Sequence, residues 1–161
     1  MALLAPYLLA DGRLPVGAHT YSAGLEPAVA AGLTRAQIPA LLRARLHTTV
    51  VTEAAATALA LRAALRAPVD FAPVQEALAA RTPTAPLREA SAALGRGVHR
   101  LARRLDPDHP AVTALARIRP RPLRPVTLGA LGAVLGVGEE ELVHGVVYDE
   151  LQTIASAALK L

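Results

Sequence analysis

Apolar residues recur along this chain at spacings of three and four, and Gly and Pro mark the breaks between periodic stretches. Residues 3–10 predict a short helix, ended by Asp11-Gly12-Arg13-Leu14-Pro15-Val16-Gly17. Residues 21–31 predict a second, weakened by Pro27, with Gly32 as its stop. Thr34 and Gln37 form a capping-box pattern at the entry to the longest helix. Pro39 delays its start or bends it. Leu42, Leu46, Val50 and Leu59 share helical spacing in it, and the pattern runs to about Arg66.

Residues 70–80 predict a shorter helix and 87–105 a long one. In the long one Leu87, Leu94, Val98 and Leu101 line one face, and Arg88, Arg96, Arg100, Arg103 and Arg104 take much of the rest. A short helix over 111–117 precedes a stiff, extended proline-rich connector, 120–125. Thr127 is placed to cap a helix over 128–135, and Gly136–Gly138 break it. The last helix starts near Glu139, where three glutamates complement the positive dipole end. With no sustained alternation and no repeat, the pattern predicts one all-α domain over 1–161, a bundle of roughly eight helices.

Composition narrows the picture. Hydrophobic residues are 53% of the chain and aromatics 2%, so the core is built from Ala and Leu, which suits close helix packing better than a sheet. The absence of cysteine excludes disulfides and thiolate metal sites. The first residues lack the basic region of a signal peptide, and charges interrupt the greasiest stretch, 50–65. The expected location is therefore cytoplasmic, with no membrane association. The net charge of +4 is carried by arginine, since Lys160 is the only lysine. Arginine suits carboxylate partners and also nucleic acid; an arginine- and alanine-rich composition also arises from coding bias alone.

Candidate chemistry is sparse. The five histidines (His19, His47, His99, His109, His144) form no close pair. Glu140, His144 and Tyr148 make a column on one helix face that can ligate a metal weakly, though an ordinary side-chain ladder explains it better. Gly129, Gly132 and Gly136 form no phosphate loop, and their spacing reads as a close helix contact. Ser22 sits in no nucleophile elbow. His19, Thr20, Tyr21 and Ser22 crowd polar groups at a helix entrance, which serves equally as a capping cluster or a binding surface.

Several stretches resemble, in register, the urease accessory protein UreF family: Leu8-Leu9-Ala10-Asp11, Leu14-Pro15-Val16-Gly17, the patch His19–Ser22 and Gly24-Leu25-Glu26. Val51-Thr52-Glu53, Leu87-Arg88-Glu89-Ala90-Ser91 with Gly95-Arg96, Pro125-Val126-Thr127-Leu128-Gly129 and the closing helix with Gln152 and Lys160 follow in order. The sequence departs from the family at Ala18, where a second Gly is usual, and at Arg124, where His is common. It ends at Leu161, before the family's Leu-Pro-Leu stretch and C-terminal tail. The resemblance implies a non-catalytic, all-α scaffold that forms a homodimer. Such a scaffold bridges a UreD/UreH-type protein and the GTPase UreG on apo-urease. Nickel is the ion handled by the assembly, and no cofactor is stably bound. The residues expected to meet partners are His19, Thr20, Tyr21, Ser22, Glu26, Tyr148, Gln152 and Lys160. Rival readings are a basic helical nucleic-acid-binding protein, an unrelated adaptor, and a small helical enzyme using Glu53 or His144.

Overall fold

The computed structural model describes residues 22–160. Seven helices and no strand occur among them. They are α1, Leu25–Ala30; α2, residues 38–64; α3, Ala72–Arg81; α4, Ala85–Leu105; α5, Pro110–Leu115; α6, Arg124–Leu135; and α7, Glu139–Ala158. The all-helical expectation holds. The helix expected over 3–10 lies outside the described residues. No described helix is long and apolar enough to cross a membrane.

Local signals set most boundaries. Gly32 adopts φ +99 and ends α1 as expected, with Leu33 N–H donating to Ala28 O at 2.9 Å and Gly32 N–H to Val29 O at 2.9 Å. Thr34 N–H donates to Gln37 Oε1 at 2.8 Å, at the entry to a 3-10 turn that leads into α2. Asp70 Oδ1 accepts Ala72 N–H at 2.9 Å at the head of α3, and His109 Nδ1 accepts Ala111 N–H at 3.2 Å at the head of α5. Gly138 N–H donates to Glu141 Oε2 at 3.1 Å where α7 starts.

Three expectations are corrected. The proline-rich connector ends at Leu123, because α6 begins at Arg124. Pro125 fits the first helical turn, where its missing N–H leaves no bond unmade. Thr127 is consequently not a cap; it lies within the helix, fully buried, and its hydroxyl donates to Arg124 O at 2.8 Å. Leu59 is 49% exposed rather than in the core seam with Val50. The reason is spacing: α2 is regular from Val51 onward, and nine residues at 3.6 per turn make about two and a half turns, which puts Leu59 on the face opposite Val50. A π-helical segment, Leu46–Val50, precedes this stretch and shifts its phase only relative to the turns before it. The inward face becomes Ala54, Thr57, Ala60, Leu61 and Ala64.

Helix α6 is the centre. Residues 125–132 are all buried, and α6 packs chiefly against the second half of α2 and against α4. Gly129 permits the α2 contact: a Cβ there would stand 2.5 Å from Ala60 Cβ and 2.6 Å from Leu61 N. This is the close approach that the small-residue spacing predicts. Gly136 belongs to a different device, with φ +65 at the end of α6. The main core gathers Ala56, Ala60, Phe71, Leu78, Ala92, Leu115, Leu123 and Val126. A second cluster joins Leu25 of α1 to Ile154 of α7 and to Ile38, Leu41 and Leu42.

Candidate functional site

Helices α2, α3, α4, α6 and α7, with the start of α1 and the residues leading into it, line a partly open cavity of about 590 Å³. Ser22, Ala23 and Gly24 line it on one side, and Thr48, Thr49, Thr52 and Glu53 of α2 on another. Arg45 of α2, Arg81 and Thr82 at the end of α3, and Ser91, Arg124 and Glu150 from α4, α6 and α7 complete the polar lining.

Beside the cavity runs an ion network across three helices. Arg124 Nη2 donates to Asp149 Oδ2 at 2.6 Å, while its Nη1 stands 3.8 Å from Glu53 Oε2. Arg45 Nε donates to Glu150 Oε1. The chain thus ties α2 to α7 twice, once directly and once through α6. Burial works against the Arg124 charge, but Asp149 and Glu53 outweigh it and hold the guanidinium above its ordinary range. Glu53 is the least compensated member. Burial pushes its carboxyl above the usual carboxylate range, and the attraction of Arg124 offsets this only in part.

Ser91 and Gly95 of the α4 motif turn inward onto this site. Ser91 Oγ accepts the Arg124 N–H at 3.1 Å, which satisfies one of the free donors at the head of α6. A Cβ on Gly95 would lie 2.8 Å from Pro122 O, so only glycine lets α4 approach the connector this closely. Arg88 Nη1 donates to Thr82 O at 2.6 Å and to Pro83 O at 2.9 Å, fixing the turn before α4. Leu87, expected on the apolar face, is 51% exposed and borders the cavity instead. Gln75 of α3 adds a bond pair invisible in the sequence: Oε1 accepts Leu123 N–H at 3.0 Å and Nε2 donates to Arg121 O at 3.0 Å.

The expected partner-contacting residues are not gathered in one place. His19, Thr20 and Tyr21 lie outside the described residues. Ser22 lines the cavity, and its Oγ accepts the Glu26 N–H at 3.4 Å; Glu26 is exposed. Tyr148 is 56% exposed on α7. Gln152, one turn further, is half-buried, and its Oε1 has no hydrogen-bond partner among the described residues. Lys160 is exposed beyond the end of α7. Glu140, His144 and Tyr148 form an exposed ladder, and no group of three His, Asp or Glu among the described residues is arranged to hold a metal.

Sequence reasoning missed Arg45, Asp149 and Glu150, and met Arg124 only as a departure from a family pattern. One signal was available. Arg124 opens a helix, where the macrodipole disfavours a cation. Such a local conflict marks a position compensated by tertiary partners.

The arrangement locks three helices in register and presents hydroxyls and one poorly compensated carboxylate to the cavity. The described wall carries no histidine.

The UreF family model matches residues 33–161. The urease accessory protein UreF of Mycobacterium bovis BCG is 39% identical over 155 residues, covering 95% of this chain and 70% of the relative. Its counterpart in Mycobacterium sp. strain JLS is 41% identical over the same length. That of Mycobacterium marinum is 36% identical over 168 aligned positions, covering 100% of this chain and 74% of the relative. No solved structure matches the chain. The chain belongs to the UreF family of urease accessory proteins.

Proposed function

We propose that this protein is a non-catalytic scaffold of urease maturation. It bridges a UreD/UreH-type protein and the GTPase UreG, in a cytoplasmic complex on apo-urease. Nickel is the cargo of that assembly, and the scaffold keeps no cofactor of its own. A homodimer is the working unit. The observation that carries this reading is the family match over residues 33–161. The ion network supports it, since a bridging protein must keep its faces in fixed relation. Ser22, Glu26, Tyr148, Gln152 and Lys160, with His19, Thr20 and Tyr21, are the proposed partner contacts.

The test is reconstitution. The chain immobilised with a UreD/UreH-type protein should retain the GTPase, and the complete set with nickel should activate apo-urease. Equal activation without the chain would overturn the proposal. Replacing His19, Tyr21 and Ser22 together by Ala should weaken capture or activation; unchanged values would remove those residues from the interface.

A further inference from the structure

Helix α4 carries five arginines and one glutamate, a formal charge of +4 equal to that of the whole chain. The rest of the molecule is balanced, so the excess sits on this one element. Its placement is not diffuse. Arg96, Arg100, Arg103 and Arg104 are all exposed and fall on one face, with the exposed Ala93 and Glu89 completing the stripe toward the N-terminal end. Ion pairs among the described residues are made by Arg45, Arg62 and Arg124, and by none of these four. The opposite face, with Leu94, Gly95 and Val98, is buried. The stripe is therefore held rigidly outward. The charge it concentrates is felt within the helix: burial and then Arg103 lower the affinity of His99 for a proton.

We propose that this face of α4 is the docking surface for an acidic amphipathic helix of a partner protein. Four guanidiniums spread over roughly 12 Å of helix, at 1.5 Å per residue, match carboxylates placed one turn apart on a facing helix. Arginine, rather than lysine, offers the planar fork that binds carboxylates in pairs. Ala93 leaves room for a second helix to approach. Nucleic acid is the weaker fit, since aromatics for base stacking make up only 2% of the chain. The inference assigns a surface beyond the scaffold role proposed above.

The test uses a fluorescein-labelled alanine-based helical peptide with glutamates four residues apart, read by anisotropy on the full chain. Binding should weaken as NaCl is raised. Replacing Arg96, Arg100, Arg103 and Arg104 together by Gln, a comparable helix former, should weaken it about tenfold or more. A control variant with Arg35, Arg43, Arg66 and Arg117 replaced by Gln loses the same charge elsewhere and should bind within about twofold of the parent. Circular dichroism confirms that both variants stay folded. No binding, an equal loss in both variants, or tighter binding to a labelled DNA duplex overturns the proposal. No urease component enters the assay, so its failure leaves the scaffold reading standing.

Discussion

Arg124 reaches Asp149 at 2.6 Å from the first turn of α6, where its own helix dipole opposes its charge. The two residues are 25 positions apart, and each is mostly withdrawn from water, with side-chain exposures of 13% and 16%. Such a pair resists loss of one member far more than joint replacement, because the survivor is left charged and unpaired. Arg124→Met should destabilise the protein by about 3–5 kcal/mol in denaturant unfolding. Arg124→Met with Asp149→Leu should recover part of the loss. A single mutant within about 0.5 kcal/mol of the parent would show that the pair is not buried as described.

Glu53 makes an opposite prediction. Its carboxyl titrates above the range of the unfolded chain, so the folded state holds that proton more tightly. Its contribution is most favourable below the unfolded carboxylate range and declines as pH rises through the raised folded one. Glu53→Gln removes the burden. The variant should melt higher than the parent at neutral pH, and the gap should narrow on acidification through the carboxylate range. A gap that widens with falling pH would refute the assignment.

Two glycines on helices α6 and α7 should respond with opposite sign. At Gly129 a methyl group meets the backbone of α2, at Leu61 N and at Thr57 O 2.7 Å away, which cannot give way like a side-chain tip. Gly129→Ala should destabilise by about 1–3 kcal/mol. At Gly145, inside α7, a methyl group meets nothing within 4 Å. Gly145→Ala should stabilise by about 0.5–1 kcal/mol through helix propensity alone. Thermal melts of the two variants decide the matter.

Ser91→Ala tests the link between α4 and α6. It strips the acceptor from the Arg124 N–H in a half-buried setting. The expected loss is about 1–2 kcal/mol, with faster exchange of the Arg124 amide. Unchanged exchange would mean that water serves that donor equally well.

Short-range signals were legible. The Gly32 stop, the pairing of Thr34 with Gln37 and the start of α7 at Glu139 each involve residues within a few positions of one another. Their energetics are nearly complete before any helix meets another. The small-residue spacing at Gly129 likewise announced a close contact, without saying with which helix. The π segment of α2 was hidden, because its sequence LHTTV continues a helical pattern without a break. Leu59 faces outward for a plainer reason, lying about two and a half turns from Val50 along regular helix.

The partner-contact expectations stand where the sequence left them. Ser22 lies at a cavity wall and Tyr148 on an outer face. The cavity itself had no signature, since its walls come from helices far apart in the chain.

By itself the sequence determined a helical chain and most of its helix boundaries, because capping and periodicity act over one or two turns, and its motifs in register carried the resemblance to its family. Only tertiary structure decided that Arg45 meets Glu150 across 105 residues and that Gln75 holds Leu123 across 48. Burial is what makes those pairings matter: a charge or amide withdrawn from water must find its complement wherever the fold brings one, and no local pattern records where that is.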